Sequence, residues 1–524
     1  MSIRPATFAL IPFLAVAQTA AAQAPISAIQ WLDEVDSLAA LAPPDRRTTR
    51  PGTSLLTEPP VSDGAEVPDV VVMPLDRPAD GPVGLMPKGV TGLPVELWRG
   101  SDPERVAGML ARLDLEDLPA MQALLYSLLL TEALPPMAEE QRPDMLIARV
   151  EALTELGAVD PAMALIEHAG PERHPDLFRR YFDLALLSGD EGAACARLAL
   201  RPDLSPDYAS RVYCLARTGD WQAAMVTYGS MVALGEFSPR IETLLQLFLE
   251  PELIEGIPPL APSAEVTPLV FRLEEAIGQP LSTTTLPRAY AISDLRKVSG
   301  WKAELEAVER LARTGAVSEA RLIGVYGERK PAASGGIWDR VAAVQAFDAA
   351  MEARDPEEIG NTITAAWAAM REVGLQVPFA RLYGERLIDI PLASRPAQRI
   401  ALRVALLSPA YETAAQRMPA EGREEAFLVA LARGRTEGVA APSARARAVA
   451  SGFAPGAQPI DRSFELAREN RLGEAILQAM ELYSRAAAGE YKDATLAFAT
   501  FRSVGLEDTA RRAALQMLIL DRRD

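Results

Sequence analysis

Histidine is almost missing from this sequence: there are two, His168 and His174, on either side of Gly170-Pro171. That excludes a helix-borne zinc pair of the H-E-x-x-H kind and leaves both as turn histidines. Cysteine is as scarce, with Cys195 and Cys214 only, and their spacing is not the C-x-x-C of a redox centre or a metal knuckle. There is no G-x-S-x-G elbow, no phosphate loop ending in G-K-[ST], and no cysteine–histidine pair in a nucleophile pattern. Carboxylates are so abundant that none stands out as half of an acid/base pair. Aromatic residues make up only 6%. Beyond the first two dozen residues no apolar run reaches the roughly 18 residues that a membrane span needs. Period-2 alternation of any length is also absent, which argues against a sheet.

What remains is a 524-residue chain with 49% apolar residues, enough to bury a core, and a net charge of −18. The acidity argues against nucleic acid and anionic membranes as partners. Alanine and leucine dominate the periodic segments, and both lose little side-chain freedom in a helix. The fold class is therefore all-α. Met1 to Ala22 has the form of a secretory signal: Arg4, an apolar stretch from Ala6 to Ala17, then Ala20-Ala21-Ala22 as the cleavage site. No cysteine follows the apolar stretch to take a lipid. These features imply an exported protein without an integral membrane segment after cleavage, in the periplasm or outside the cell.

After the signal (1–22), an amphipathic helix occupies 23–42 around ISAIQWLDEVDSLAAL, docking either on its own chain or on a partner. Residues 43–100 form a proline-rich extended linker, with eleven prolines between Pro43 and Pro94. Its apolar pieces, Val67–Leu75 and Val83–Trp98, are expected to lie extended along the helical body. Helical periodicity fills 101–250, breaks in the proline-rich stretch 251–286, and resumes over 287–433. Residues 434–461 read as a partly helical Ala/Gly/Pro linker, and 462–524 as closing helices, with a break near Arg471. Trp221, Trp301 and Trp367 fall on periodic faces and are expected in the core, and Trp98 is expected to pin the end of the linker.

Seven sites share one pattern, a Gly or Asn followed five residues later by Ala: 157/162, 189/194, 219/224, 315/320, 470/475, 489/494 and 505/510. The first residue tolerates the left-handed conformation that ends a helix. The alanine then allows close approach in the next helix. Gly219-Asp220-Trp221 with Ala224 and Tyr228 resembles the turn glycine, aromatic, alanine and tyrosine of the tetratricopeptide repeat family. The spacing 157→189→219 is near that family's period. The resemblance implies an α-solenoid of degenerate helical hairpins, with Gly219, Trp221, Ala224 and Tyr228 as packing residues. The competing reading is an irregular helical bundle. ISAIQWLDEV, the cysteine-bearing stretch and RKPAASGGIWDRVAAVQAFDAAM also resemble a broader family of exported helical proteins labelled antifreeze glycopeptide-like. That family brings no catalytic residues. Ice binding would need a lattice of threonines, and Thr283-Thr284-Thr285 is the only cluster.

Cys195 and Cys214 lie equally far from a turn near Leu204-Ser205, so an antiparallel hairpin sets them at one height, and export predicts a disulfide. The loop YGERKPAASGGIWDR offers a ligand-facing candidate. Arg329 and Lys330 precede small residues, Gly335-Gly336 lead into a helix start that could hold an anion, and Trp338 follows. The alternative is a plain helix connector. No cofactor or metal is implied. The expectation is a non-enzymatic, exported scaffold that binds protein or peptide in the cell envelope, its oligomeric state unread. A rival is an accessory factor in peptidoglycan metabolism, since the superhelical region of lytic transglycosylases is similar, although no catalytic glutamate motif follows Leu466. A further expectation is that the N-terminal helix and linker recruit a partner.

Overall fold

Proline and short polar residues set where the helices begin. Pro103, Pro119, Pro175, Pro239, Pro268 and Pro356 each stand in the first turn of a helix, where the missing N–H costs nothing. Asp102, Asp220, Ser318, Asp355 and Ser443 each accept a hydrogen bond from the backbone of the helix that they precede. The computed structural model describes residues 81–139, 142–255, 258–261, 263 and 265–520. The signal, the amphipathic helix and the linker up to residue 80 lie outside the described residues.

The described residues are all-helical, with two isolated β-bridges and no strand. In chain order the first group is α1 (Lys88–Thr91), α2 (Pro103–Arg112), α3 (Pro119–Leu130), α4 (Asp144–Glu155), α5 (Val159–Ala169), α6 (Pro175–Ser188), α7 (Glu191–Leu200), α8 (Tyr208–Arg217), α9 (Trp221–Leu234) and α10 (Pro239–Leu249). Then come α11 (Pro268–Ala276), α12 (Trp301–Ala312), α13 (Glu319–Gly327), α14 (Ile337–Ala353), α15 (Pro356–Glu372), α16 (Gln376–Leu387), α17 (Arg395–Leu407), α18 (Tyr411–Arg417) and α19 (Arg423–Ala432). The last are α20 (Ala444–Phe453), α21 (Ser463–Arg468), α22 (Leu472–Ala488), α23 (Tyr491–Ser503) and α24 (Glu507–Ile519). Where helical periodicity resumes at residue 287, the first element is a 3-10 helix, Arg288–Arg296. The partly helical stretch 434–461 carries α20, whose Ala446 and Val449 are buried against α23. The closing helix breaks where expected, between α21 and α22, with Asn470 at φ 57°.

The Gly/Asn-to-Ala pattern explains much of the packing. All seven leading residues have positive φ. Ala162, Ala194, Ala224, Ala475, Ala494 and Ala510 are fully buried. Ala320 is exposed, and the cause is local. In the six others the helix starts two residues after the Gly or Asn, whereas α13 starts four residues after Gly315, at Glu319. That delay moves the alanine two places along the helix, a rotation of roughly 200°, and turns it outward.

Neighbouring helices pair as hairpins, among them α8 with α9, α14 with α15 and α22 with α23. Contacts also join helices far apart in sequence. The 3-10 helix packs on α4 and α6, and the Thr314 hydroxyl donates to the Leu156 carbonyl at 2.6 Å. The last helices meet the first: α24 packs on α3, Ala120 N–H donates to Gln516 Oε1 at 2.7 Å, and Arg105 pairs with Glu474 at 3.1 Å. In a purely linear array each repeat touches only its neighbours, so these long-range contacts add to the hairpin stacking.

Residues 81–99 pair with the helical body, but not in the extended form expected, because α1 (Lys88–Thr91) and a run of turns at 95–100 interrupt them. Val83 bridges Ala133, Leu134 N–H donates to the Val95 carbonyl, and Met137 N–H donates to the Arg99 carbonyl. Arg149, 3% exposed, fastens this strip by donating to the carbonyls of Leu129, Val83 and Thr131 at 2.7–2.9 Å. With no acid beside it, burial lowers its pKa to about 10. Trp98 closes the strip, fully buried against Gly473. A Cβ at Gly473 would come within 2.1 Å of its ring, so only glycine fits there.

Candidate functional site

The cysteine-bearing hairpin is built as its spacing implies. Helices α7 and α8 run antiparallel through a turn at Pro202–Leu204, and Cys195 and Cys214 form a disulfide with Cα atoms 5.0 Å apart. Beside it sits Glu191 in the first turn of α7, 1% exposed. Its Oε1 accepts from Tyr213 Oη at 3.2 Å, Arg217 Nη2 at 3.0 Å and Arg272 Nη2 at 2.9 Å. Burial first, and the Glu191 charge second, push the Tyr213 hydroxyl up to about 12. Nothing in SGDEGAA marks Glu191 as buried, because its partners come from α8 and from α11, 81 residues away. The cluster ties α7, α8 and α11 together, with Glu191 Oε2 and Arg272 Nε buried in it without a hydrogen-bond partner.

The next helix, α9, is different. Its fourteen residues, WQAAMVTYGSMVAL, carry no charge, and only Ala224 is buried. Trp221 is 42% exposed, Val226 64% and Leu234 68%. This corrects the expectation that Trp221 is a core residue. Its ring leans on Phe248 at 6.1 Å, since α10 covers only one side of α9. Tyr228 is half-buried, stacked on Phe237, and donates to the Glu242 carbonyl at 3.3 Å. Gln222, Val226, Gly229 and Ala233 are exposed, and their 4-3-4 spacing is that of a seam for another helix.

Flanking this pair, a cavity of about 720 Å³ opens between α6, α8, α10 and α11, with Arg179, Asp183, Asp207, Ser210, Arg240 and Thr267 in its wall. Asp207 and Thr267 are helix caps, accepting from the backbone N–H of Ser210 at 2.7 Å and of Val270 at 3.2 Å. Asp183 has its pKa pushed up to about 6. Burial is the main cause and the Asp207 charge adds to it, while Arg179 and Arg180 pull the other way.

The loop expected to face a ligand is a connector between α13 and α14. Arg329 and Lys330 point to solvent, and the Arg329 carbonyl accepts from Gln345 Nε2 at 2.7 Å. Gly335 and Gly336 both have positive φ, and Gly335 N–H donates to Asp339 Oδ1 at 2.9 Å. An acid of the helix's own first turn thus takes a donor that an anion would have used. Trp338 packs on Trp301 at 5.3 Å. Below this loop Glu309, Arg340 and Tyr326 form a buried triad, with Arg340 Nε to Glu309 Oε1 at 2.7 Å and the Tyr326 hydroxyl donating to the same oxygen at 2.6 Å. His168 is exposed at the end of α5. His174 caps α6, its Nδ1 accepting from Asp176 N–H at 3.1 Å. Thr283 is buried, so the threonine cluster is no flat face. Among the described residues no group of three or more His, Cys, Asp or Glu could hold a metal ion, and no helix is long and apolar enough to cross a membrane.

Compared with known protein families, characterised proteins and solved structures, the chain has no match.

Proposed function

We propose that this chain is an exported, non-enzymatic scaffold of the cell envelope, in which tetratricopeptide-like hairpins bind a protein or peptide. The observation that carries the reading is α9: an uncharged, apolar helix, with Trp221, Val226 and Leu234 exposed, on a chain of net charge −18. Large exposed apolar patches on soluble proteins mark interaction sites. Helix α9 packs on α8 of the disulfide-stapled hairpin, and a preorganised surface lowers the ordering cost of binding. The disulfide also suits an oxidising compartment.

The test is affinity capture from the envelope fraction with the wild-type chain and with the double variant Val226→Glu, Leu234→Glu. Both positions are surface-exposed, so the variant keeps its thermal midpoint. A partner that the wild type enriches and the variant loses supports the reading. Identical capture by both chains refutes it.

A further inference from the structure

A second cavity, remote in sequence from α9, contains two buried polar atoms without partners. Its volume is about 250 Å³, and it lies between the 81–98 strip, the turn after α3, the start of α4 and the start of α6. Val83, Leu134, Pro143, Met145, Leu146 and Leu177 supply its apolar wall. Trp98 is fully buried, and its Nε1–H has no hydrogen-bond acceptor. The atoms of its ring nearest Gly473 are Cζ3, Cη2 and Cε3, so the opposite edge, which carries Nε1, faces away from Gly473; Trp98 is one of the residues that line the cavity. Glu139 lines the same cavity, and its Oε2 is likewise buried without a donor. Burial, and after it the Asp144 charge, raise the Glu139 pKa to about 7, although the backbone N–H groups of Met145 and Asp144 pull it down. Arg173 also stands in the wall, and the remaining polar groups nearby are occupied. Arg149 gives its donors to three carbonyls, Arg142 bridges Asp144 and Asp176, and His174 caps α6.

Buried donors and acceptors in folded proteins are almost always paired, and an unpaired one calls for an explanation. Here one unpaired donor and one unpaired acceptor belong to residues that line the same mostly apolar space, and ligand pockets combine an apolar wall with a few fixed polar groups. A cavity of about 150 Å³ already holds benzene in another protein, so this one has room for an apolar group plus a polar end.

We propose that this cavity binds a small uncharged amphiphile, an apolar body of branched-aliphatic size joined to an amide, which accepts from Trp98 Nε1–H and donates to the Glu139 carboxyl group. An amide suits the pair because it offers both a C=O and an N–H.

The probe is N-acetyl-L-leucinamide, titrated into the full chain by isothermal calorimetry, with ligand-observed saturation-transfer NMR as a second readout. Saturable one-to-one binding is expected. Trp98→Phe keeps the ring and removes the N–H, and should weaken binding about fivefold to tenfold, the usual worth of one buried hydrogen bond. Leu146→Trp fills the space and should abolish binding, while Val226→Glu on α9 should leave it unchanged. Circular dichroism and the thermal midpoint establish that each variant is folded. No saturable binding to the wild type, or equal binding to wild type, Trp98→Phe and Leu146→Trp, overturns the proposal and leaves a solvated void. Because Val226→Glu is a separate arm, failure here is distinguishable from failure of the α9 reading.

Discussion

Replacing Asp183 by Asn should stabilise the protein at neutral pH and not in acid, because of where the carboxyl group sits. It stands in the wall of the large cavity, its pKa raised from 3.8 to about 6 by burial, with Asp207 adding to the shift and Arg179 and Arg180 opposing it. Tyr290, on the 3-10 helix, also feels its charge. A carboxyl group whose pKa is higher folded than unfolded binds more protons in the folded state. Its contribution is therefore fully present below the unfolded pKa and is lost as pH rises through the folded one. Between pH 3.8 and about 6 the wild type gives up stability that the Asn variant, with nothing to ionise, retains. About two pKa units correspond to about 3 kcal/mol, of which about 1 kcal/mol is already lost at pH 4.5. The assay is urea unfolding followed by circular dichroism at pH 4.5 and 7.5, on both chains. All other titrations are shared and cancel in the difference. The variant's advantage should grow by about 2 kcal/mol between the two pH values. An equal advantage at both, or a variant less stable at pH 7.5, would mean that Asp183 is held by Arg179 as an ion pair, and the reasoning would fail.

The disulfide spans 19 residues, so the double variant Cys195→Ala, Cys214→Ala should lose about 3 kcal/mol in urea unfolding, as should the reduced wild type. Unchanged stability would show the hairpin to be held by the Glu191 cluster alone. Gly473→Ala drives a methyl group into the Trp98 ring and should cost about 1–3 kcal/mol and alter the near-ultraviolet dichroism of the buried indole. A neutral outcome would contradict the close approach. Ala224→Leu should cost about 1–3 kcal/mol by overpacking, and Ala320→Leu, on the exposed side of α13, should stay within about 0.5 kcal/mol. Equal costs would undo the explanation by helix start.

Sequence order carried the turns well because their causes are local. Gly157, Gly189, Gly219, Gly489 and Gly505 end helices through their own backbone freedom, and the alanine follows at a fixed helical offset. The pattern failed at Gly315 for a reason also written nearby: Ser318 caps α13 two residues late. Trp221 is exposed although it falls on a periodic face, because periodicity shows which face is apolar, not whether anything covers it, and α10 covers only one side. In the Arg329–Trp338 loop the sequence shows cations and glycines before a helix start, whereas only the fold shows that Asp339 takes the Gly335 backbone donor.

The sequence by itself determined the all-α class, the left-handed turns at the Gly/Asn positions and the pairing of Cys195 with Cys214, since periodicity, backbone freedom and hairpin register act over a few residues to a few turns. Only the tertiary structure decided which polar groups are buried and what they meet. Arg149 answers carbonyls up to 66 residues away, Glu191 meets Arg272 81 residues on, and Gln516 caps a helix that begins 397 residues earlier. Burial and electrostatics depend on neighbours in space. A residue's exposure, its pKa and the cavity that it lines therefore emerge only once distant helices have packed.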